Sequence, residues 1–512
     1  MATPQERLAN ALQTLHALQA KGQNIVRSEH LTRDERELLV GRGFLRPVIR
    51  GWYIPSSPDA TDGETTAWYA AYWEFVRDYL SDRFDEDWVL APEPSLLLHA
   101  GQWNVPRQLL VRAPSARNQT TDFIFGTSIY DLRLKPPSGA DVMMLNGLRV
   151  YRPEAALIAA SPGVFQSYPT ELRTVLAVQR DASALLARLL EGGNSVVAGR
   201  LAGAFRNIGR DRDADEIVAA MKAAGYKIRE DDPFRARIEG LVLGRDPSPY
   251  VQRIRLMWAQ MREEIPPLFP SPPARINHID GYLQRLDDLY VTDAYHSLSI
   301  EGYRVSPDLI ERVRSGTWDP DGDPQDRQHK DAMAARGYWE AFQVVKDSVH
   351  AVLLGENPGA VADRDHGGWY RALFAPSVAA GLLKPANLAG YRNHPVYIRG
   401  SAHTPLPYEA VRDVMPVLFA LLASETDPAV RVVLGHFVFV YIHPYMDGNG
   451  RTGRFLMNVM MAAGGYPWTV IPVTERKRYM AALESASAGG DIKPFATFLA
   501  ERVRARAPEA HA

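Results

Sequence analysis

The sequence predicts a multidomain protein that mixes helices and short strands in its N-terminal half and is mainly α-helical in its C-terminal half. Length is the first reason, because 512 residues are enough for about three domains. The second is the pattern of apolar residues, since most strand-like runs fall before residue 240 and helical spacing dominates afterwards. The third is a run of five prolines within residues 265–273, which predicts a stiff linker between the halves.

Overall composition is that of an ordinary globular protein, with 46% apolar and 23% charged residues. A net charge of −2 gives no reason to expect that the whole chain binds nucleic acid or a membrane surface. The lack of cysteine excludes disulfide bonds and thiolate chemistry. The N-terminus has no signal-peptide pattern, and the longest apolar stretch, residues 430–442, is too short to span a bilayer. We therefore expect a soluble cytoplasmic protein without a membrane partner.

Residues 1–56 are predicted to form a winged-helix-like domain. Helical patterns cover residues 8–18 and 28–40, and two short strands then turn near Gly51. The stretch resembles the winged-helix N-terminus of abortive-infection-type antitoxins, which have a comparable Gly-Phe-Leu and Arg-Gly-x-Tyr ending. Eight Lys or Arg against five Asp or Glu give it a charge of +3, so we expect DNA as a partner, with protein contact as the alternative. The residues placed to reach DNA phosphates are Arg42, Arg46 and Arg50.

Residues 57–240 are predicted to form a small α/β segment, over which the antitoxin resemblance extends loosely. An aromatic-rich helical pattern at residues 65–80 precedes three short strand-like runs, and helical patterns follow at residues 169–190 and 214–224. No group of residues in this segment has the spacing of a catalytic site. We expect the segment to be a scaffold or to bind a partner.

Residues 443–454 have the composition of a site for a polyphosphate. Two glycines allow backbone N–H groups to face a ligand, and a helix starting near Asn449 would add the positive end of its dipole. Arg451 and Arg454 are three residues apart, so both fall in the first turn of that helix and can bind phosphate oxygens. The stretch therefore predicts an anion site at a helix N-terminus.

Two further side chains of this stretch carry chemistry. Asp447 is a hard oxygen ligand of the kind that Mg²⁺ uses to bridge protein and nucleotide. His443 is a group that can accept a proton near pH 7. A plain surface turn is an alternative, but a turn does not require a histidine and two arginines. A dinucleotide-binding G-x-G-x-x-G loop at residues 448–453 is another, although five residues separate its first glycine from the preceding apolar run.

Residues 443–454 resemble the Fic signature, His-x-Phe-x-(Asp/Glu)-Gly-Asn-Gly-Arg-x-x-Arg, with Tyr445 where phenylalanine is usual. The resemblance implies a mainly α-helical Fic (Fido) catalytic domain over residues 346–505 that transfers AMP from ATP to a Tyr, Thr or Ser hydroxyl of a target protein. It implies His443 as the catalytic base and Asp447 as the ligand of Mg²⁺, with Mn²⁺ as the alternative ion. The nucleotide-binding residues that it implies are Gly448, Asn449, Gly450, Arg451, Arg454 and Tyr479.

An inhibitory-helix region is predicted over residues 274–345. Ser297 and Glu301 are four residues apart and share a helix face, and Gly302 can end that helix. Together with the Fic signature, these three residues resemble the inhibitory motif (Ser/Thr)-x-x-x-Glu-(Gly/Asn). The resemblance implies that Glu301 pairs with Arg454 and withholds this arginine from the γ-phosphate of ATP.

Residues 388–405 resemble the β-hairpin flap that lies beside the Fic active site. An exposed strand edge would hold a target segment by main-chain hydrogen bonds and present its hydroxyl to His443. The target-binding residues expected in this flap are Val396, Tyr397 and Ile398.

Two other functions stay open from the sequence. One is a DNA-binding regulator in which the Fic domain senses nucleotide. The other is the reverse enzyme, which removes AMP from a protein and in which Glu301 would position a water molecule. The sequence does not distinguish forward from reverse chemistry.

Overall fold

The computed structural model describes residues 3–59, 64–238, 246–273, 276–318 and 330–505. Its contacts divide the chain into two compact units. The first comprises Met1–Pro249 and Tyr397–Thr404, and the second comprises Tyr250–Val396 and Pro405–Ala512. The finer domain division stays a prediction, and its boundary residues 240 and 274 lie outside the described ranges.

The first unit begins with two helices and a three-stranded antiparallel sheet in the order β1-β3-β2. Thr3 and Thr32 each begin a helix with a capping box, in which the threonine and a glutamate exchange hydrogen bonds with backbone N–H groups. The cap at Thr32 splits the helix predicted over residues 28–40. The winged-helix interpretation stays a prediction. The elements are α1 (Pro4–Ala20), β1 (Val26–Arg27), a 3-10 helix (Ser28–His30), α2 (Arg33–Gly41), β2 (Leu45–Ile49) and β3 (Trp52–Pro55).

A four-stranded sheet and an aromatic-rich helix form the centre of the first unit. The elements are α3 (Thr66–Phe84), β4 (Val89–Leu90), α4 (Pro92–His99), β5 (Gln108–Ala113), β6 (Gln119–Asp122) and β7 (Ser128–Arg133). The sheet order is β4-β5-β7-β6, with β5 and β7 parallel. Trp68 and Tyr72 of α3 are fully buried in the same core as Val111 and Ile129 of the sheet.

A hairpin and six helices complete the first unit. They are β8 (Val142–Leu145), β9 (Leu148–Tyr151), α5 (Pro153–Ala159), α6 (Pro162–Ser167), α7 (Pro169–Ala177), α8 (Ser183–Gly192), α9 (Ser195–Asn207) and α10 (Asp211–Ala223). The single helix predicted over residues 169–190 is wrong. Oδ1 of Asp181 accepts the N–H of Ser183 at 2.8 Å, so a new helix begins there.

The described residues of the second unit form helices and no β-strand. The helices are α11 (Pro249–Met261), α12 (Ile279–Ile300), α13 (Pro307–Ser315), α14 (Lys330–Leu353), α15 (Pro358–Ala379), α16 (Tyr408–Ser424), α17 (Pro428–Ile442), α18 (Asn449–Ala463), α19 (Arg476–Gly489) and α20 (Lys493–Arg504). Because α17 is apolar on nearly every face, it is buried along its length and packs against α18. Among the helices described in either unit, none has the length and hydropathy needed to cross a membrane.

The β-hairpin predicted over residues 388–405 is not formed: this described segment contains no strand. Pro395 and Pro405 cannot donate to a strand ladder, and Gly400 turns the backbone with a φ of +73°. Within the first unit, Arg399 pairs with Glu64 at 3.0 Å. The segment is therefore an irregular loop held by side-chain contacts.

Candidate active site

His443 lies at the junction between the buried helix α17 and the loop that follows. Its backbone is left-handed (φ 54°, ψ 60°), which is uncommon for a residue with a side chain. Its N–H donates to the carbonyl of Phe439 at 3.0 Å, and its own carbonyl accepts from Nε of Arg392 at 2.8 Å. The buried Arg392 also lies within hydrogen-bonding reach of the carbonyl of Leu406, so one guanidinium fixes the turn.

The imidazole of His443 is neutral at physiological pH. Nδ1 lies 3.3 Å from the carbonyl oxygen of Val440, and since a carbonyl can only accept, Nδ1 carries the proton. Burial lowers the pKa of His443 to about 4, against the opposing attraction of Glu301 and Asp447. Nε2 is therefore an unprotonated acceptor, which is the form that a general base requires.

Two side chains hold the loop after His443 in place. The ring of Tyr445 is stacked on that of Tyr370, with centroids 3.9 Å apart and planes within 2°. Asn449 accepts the N–H of Tyr445 and donates to its carbonyl, each at 2.8 Å. Asn449 was predicted to bind nucleotide, but both polar atoms of its side chain are used on Tyr445. Its side chain thus supports the loop, and a role of Asn449 in nucleotide binding stays a prediction.

Asp447 projects from this loop with its side chain 67% exposed. Its Oδ1 accepts the N–H of Gly448 at 2.6 Å and lies 3.6 Å from Nη2 of Arg451. A single exposed carboxylate beside an anion site suits Mg²⁺, which takes one or two protein carboxylates and completes its shell with phosphate and water. Within the described ranges, no cluster of three or more His, Asp or Glu side chains could hold an ion by itself.

The N-terminus of α18 is shaped by two glycines. Gly448 adopts a left-handed φ of +79°, and a Cβ built on it would lie 2.7 Å from the ring of Phe374. A Cβ built on Gly450 would lie 2.2 Å from Oε1 of Glu301. A side chain at position 448 would meet the Phe374 ring and a strained backbone, whereas one at position 450 would displace the flexible end of Glu301. At Gly450, the group that lies close is therefore a carboxylate.

Arg451 is a buried guanidinium with unused hydrogen-bonding capacity. Its side chain is 1% exposed, and its Nε and Nη2 make no hydrogen bond to the part of the chain that the structure describes. Tyr303 and Phe374 contribute an aromatic ring each, both with the centroid 5.0 Å from Cζ of Arg451. A buried cation with free donors at a helix N-terminus is suited to an anionic ligand.

Arg454 is held by the end of α12. Its Nε donates to Oγ of Ser297 at 2.9 Å, and its Nη2 donates to the carbonyl of Ser297 at 3.0 Å and to Oε1 of Glu301 at 2.7 Å. Burial alone would raise the pKa of Glu301, but the charges of Arg454 and Arg451 outweigh it and hold that pKa below its usual range. The predicted pair is therefore present and charged.

The end of α12 also follows the prediction. Gly302 adopts a left-handed φ of +88°, and its N–H donates to the carbonyl of Ser299 at 3.0 Å. The N–H of Tyr303 donates to the carbonyl of Leu298 at 3.1 Å. These two bonds end the helix immediately after Glu301 and fix where its carboxylate lies.

Tyr479 was predicted to touch adenine, and this contact stays a prediction. Its side chain is buried, and its hydroxyl lies 2.7 Å from Nε2 of His436. Burial raises the pKa of Tyr479 to about 12 and lowers that of His436 to about 4, so both are neutral. Tyr479 is therefore part of the core near Arg454.

The structure does not bring every predicted site residue together in one unit. Val396 belongs to the second unit, whereas Tyr397 and Ile398 belong to the first. Their role as target-binding residues stays a prediction. Two residues at the site, Tyr303 and Phe374, were not predicted. Tyr303 follows the predicted Gly302 directly, but Phe374 comes from the distant helix α15 and has no local sequence signal.

A family comparison matches residues 349–461 to the Fic/DOC family. The matched segment contains His443, Asp447, Arg451 and Arg454. Residues 349–461 are a Fic domain. Ser297 and Glu301, which hold Arg454, lie N-terminal to the matched segment.

Curated relatives carry the same family name. Protein adenylyltransferase fic-1 of Caenorhabditis briggsae is 27% identical over 300 residues, which is 57% of this chain and 54% of the relative. Protein adenylyltransferase Fic of Drosophila yakuba is 28% identical over 231 residues, which is 44% of this chain and 43% of the relative. The chain thus spans about half the length of the curated relatives that it matches.

Solved Fic structures are similar over part of the chain. Fic-1 from C. elegans aligns with a TM-score of 0.38 and 22% identity, covering 63% of this chain and 90% of that one. A Fic domain containing signaling protein from Bacteroides thetaiotaomicron aligns with a TM-score of 0.33 and 16% identity, covering 50% and 92%.

Proposed function

We propose that the protein is an adenylyltransferase that transfers AMP from ATP to a Tyr, Thr or Ser hydroxyl of a target protein. The observation that supports this best is a neutral histidine, His443, at one end of a loop that leads to a buried guanidinium with unused donors, Arg451. Buried N–H donors that make no hydrogen bond are costly, and Nε and Nη2 of Arg451 are such donors among the described residues, which favours a site built for an anion that the substrate brings. The curated relatives are named protein adenylyltransferases.

The reaction assigns a role to each side chain of the loop. The phosphates of ATP would bind at the N-terminus of α18, where Arg451 and the helix dipole favour negative charge. The target oxygen attacks the α-phosphorus and forms a new P–O bond, while the bond to pyrophosphate breaks. Nε2 of His443 accepts the proton of the target hydroxyl, because Nδ1 is already protonated toward Val440.

Asp447 is the residue that would hold Mg²⁺ or Mn²⁺. When bound, the ion supplies positive charge that neutralises the phosphates. The position of Asp447 depends on its bond to the N–H of Gly448, which holds one carboxylate oxygen at the loop. Removal of divalent cations with EDTA is expected to stop transfer, and added Mg²⁺ or Mn²⁺ to restore it.

Glu301 would keep this site inactive by occupying Arg454. Arg454 is buried, and its Nη2 donates to Glu301, so Glu301 would compete with a γ-phosphate for this guanidinium. The Oε1 atom also lies in the space beside Gly450 that a phosphate would approach. Both effects are removed together by a glycine at position 301.

Intact mass spectrometry of the purified protein after incubation with MgATP tests this proposal. The Glu301→Gly protein is expected to gain the mass of one or more AMP groups, and the Glu301→Gly/His443→Ala protein to gain none. A gain that persists without His443 would contradict the base assignment. No gain with any nucleotide, or loss of AMP from a modified protein, would favour the nucleotide sensor or the reverse enzyme.

The target and its mode of binding are a further part of the proposal. Residues 396–398 would still hold a target segment by main-chain hydrogen bonds, although they do not form a strand here. Proline at position 396 or 398 removes a main-chain N–H, whereas alanine at position 397 keeps it. Replacing Tyr397 by alanine is therefore expected to reduce target labelling less than replacing Val396 or Ile398 by proline. Peptide-array labelling would measure the difference.

DNA remains a proposed partner of the N-terminal residues 1–56. Arg42 and Arg50 are exposed, which supports it. Arg46 is less available, since it lies 5.3 Å from the ring centroid of Phe125 and donates to the carbonyl of Glu64. Fluorescence anisotropy with a DNA duplex should show binding that weakens steeply with salt if the proposal is right. The cytoplasmic location is likewise a prediction, which cell fractionation would test.

A further inference from the structure

Arg451 is enclosed by two aromatic rings from different parts of the chain. Cζ of Arg451 lies 5.0 Å from the ring centroid of Tyr303 and 5.0 Å from that of Phe374. Tyr303 follows the end of α12, and Phe374 belongs to α15. The side chain of Arg451 is 1% exposed, so the two rings replace water as its surroundings.

These rings attract the cation while two of its nitrogens stay unbonded among the described residues, although the Tyr303 hydroxyl also interacts with the Arg451 side chain. The negative face of an aromatic ring attracts a guanidinium, and the interaction is stronger where water is excluded. Nε and Nη2 of Arg451 make no hydrogen bond to the described residues. The arrangement therefore holds the charge in a fixed place and leaves N–H groups for a ligand.

The backbone of Tyr303 is also fixed by the end of α12. Its N–H caps α12 through the carbonyl of Leu298, and Gly302 sets the turn that precedes it. Nζ of Lys330 lies 5.6 Å from the same ring, so Tyr303 is close to two cations. The ring is thus attached to the helix end that carries Glu301.

We propose that Tyr303 is a positioning residue for nucleotide binding, whose ring, together with that of Phe374, holds Arg451 in the orientation that binds phosphate. This inference rests on the proposed function, since it takes ATP as the ligand. If the inference is right, residues at the end of α12 have two opposite effects on nucleotide binding. Glu301 withholds Arg454 from the nucleotide, whereas Tyr303, two residues later, prepares Arg451 for it.

The two effects separate in a binding experiment. Isothermal titration of the Glu301→Gly protein with the magnesium complex of α,β-methylene-ATP measures nucleotide affinity without turnover. Adding Tyr303→Phe keeps the ring and should leave the Kd within about twofold. Adding Tyr303→Leu keeps similar bulk without the ring and should weaken binding by about fivefold to about 30-fold, the range from an exposed to a desolvated contact between a cation and a ring.

Matched variants exclude a general packing effect. Phe374→Leu removes the second ring from a different helix and should also weaken binding. Tyr295→Leu, on α12 ahead of Tyr303 and packed on His296, should leave binding unchanged. Melting temperatures of all variants should agree within a few degrees, because Leu replaces most of the lost volume.

Each outcome bears on the inference. If Tyr303→Phe and Tyr303→Leu bound the nucleotide analogue with the same Kd, whether weakened or not, the inference would be overturned, since the ring would then make no difference. Failure of the Glu301→Gly protein itself to bind the analogue would instead count against the proposed function. Weakening by Leu at both 303 and 374, with Phe tolerated at 303, is the result that the inference expects.

Discussion

Oε1 of Glu301 lies 2.7 Å from Nη2 of Arg454, although 153 residues separate the two in the chain. Arg454 is in the first turns of α18, and Glu301 is the last residue before the turn that ends α12. Ser297 adds two more acceptors to the same guanidinium. Nε and Nη2 of Arg454 are thus both bonded to protein groups.

Removing the charge of Glu301 should destabilise the unliganded protein. Glu301→Gln leaves the buried Arg454 without its carboxylate, which we expect to cost about 1–3 kcal/mol. Thermal denaturation should show a lower Tm, and ATP should recover part of the loss by binding the free arginine. Glu311→Gln, which breaks an exposed pair with Arg314, is the control and should change Tm little.

Replacing His443 should affect chemistry and not binding. His443→Ala in the Glu301→Gly background is expected to slow transfer by at least about 100-fold, the range of general base catalysis. The Kd for the nucleotide analogue should stay within about threefold, because His443 is assigned to the target hydroxyl and not to the phosphates. Single-turnover kinetics and calorimetry measure the two quantities. A large rise in Kd with unchanged transfer would show that the assignment is wrong.

The pH dependence of transfer should reflect the low pKa of His443. Because burial lowers this pKa to about 4, the imidazole stays neutral above that value and takes up a proton only as the pH falls through it. The kcat/KM of the Glu301→Gly protein should therefore be nearly level from about pH 8 to about pH 5 and fall below that. An inflection near 6.5, where an exposed histidine titrates, would contradict the assignment. Circular dichroism at each pH distinguishes this fall from acid unfolding.

Asn449 was predicted as a nucleotide-binding residue, and we expect it also to stabilise the folded protein. Asn449→Ala removes two 2.8 Å bonds to the backbone of Tyr445 and leaves buried polar groups unpaired. We expect a loss of about 2–4 kcal/mol, measured by chemical denaturation. Asn387→Ala, at an exposed position, is the matched control. Equal stability of both variants would mean that the side chain of Asn449 does not hold the loop.

Local signals explain what the sequence predicted well. The helix after Gly448 and the break after Glu301 each depend on neighbouring residues, and each is present. The pairing of Glu301 with Arg454 was implied by a family resemblance and could not follow from spacing alone. The structure brings these two residues together as the resemblance implied.

The errors arose where tertiary contacts decide the outcome. The hairpin expected near residue 396 depends on backbone N–H donors that proline lacks and on an extended backbone that Gly400 does not adopt, and Glu64 pairs with Arg399 of the loop instead. The hydrogen bond between the Tyr479 hydroxyl and His436, from the buried helix α17, had no local sequence signal either, and the contact of Tyr479 with adenine stays a prediction. Phe374 could not be predicted, because its contact with Arg451 joins two helices that are distant in sequence.

The initial rate of self-labelling with ATP that is radioactive at the α-phosphate tests the central claim most directly. Wild-type protein, Glu301→Gly, Glu311→Gln and Glu301→Gly/His443→Ala should be compared with Mg²⁺ at equal concentration. We predict that Glu301→Gly transfers at least about tenfold faster than wild type, since freeing one buried arginine for a phosphate is worth 1.4 kcal/mol or more. The Glu311→Gln protein should match wild type, and the double variant should be inactive. Equal rates for wild type and Glu301→Gly would contradict the claim that Glu301 withholds Arg454.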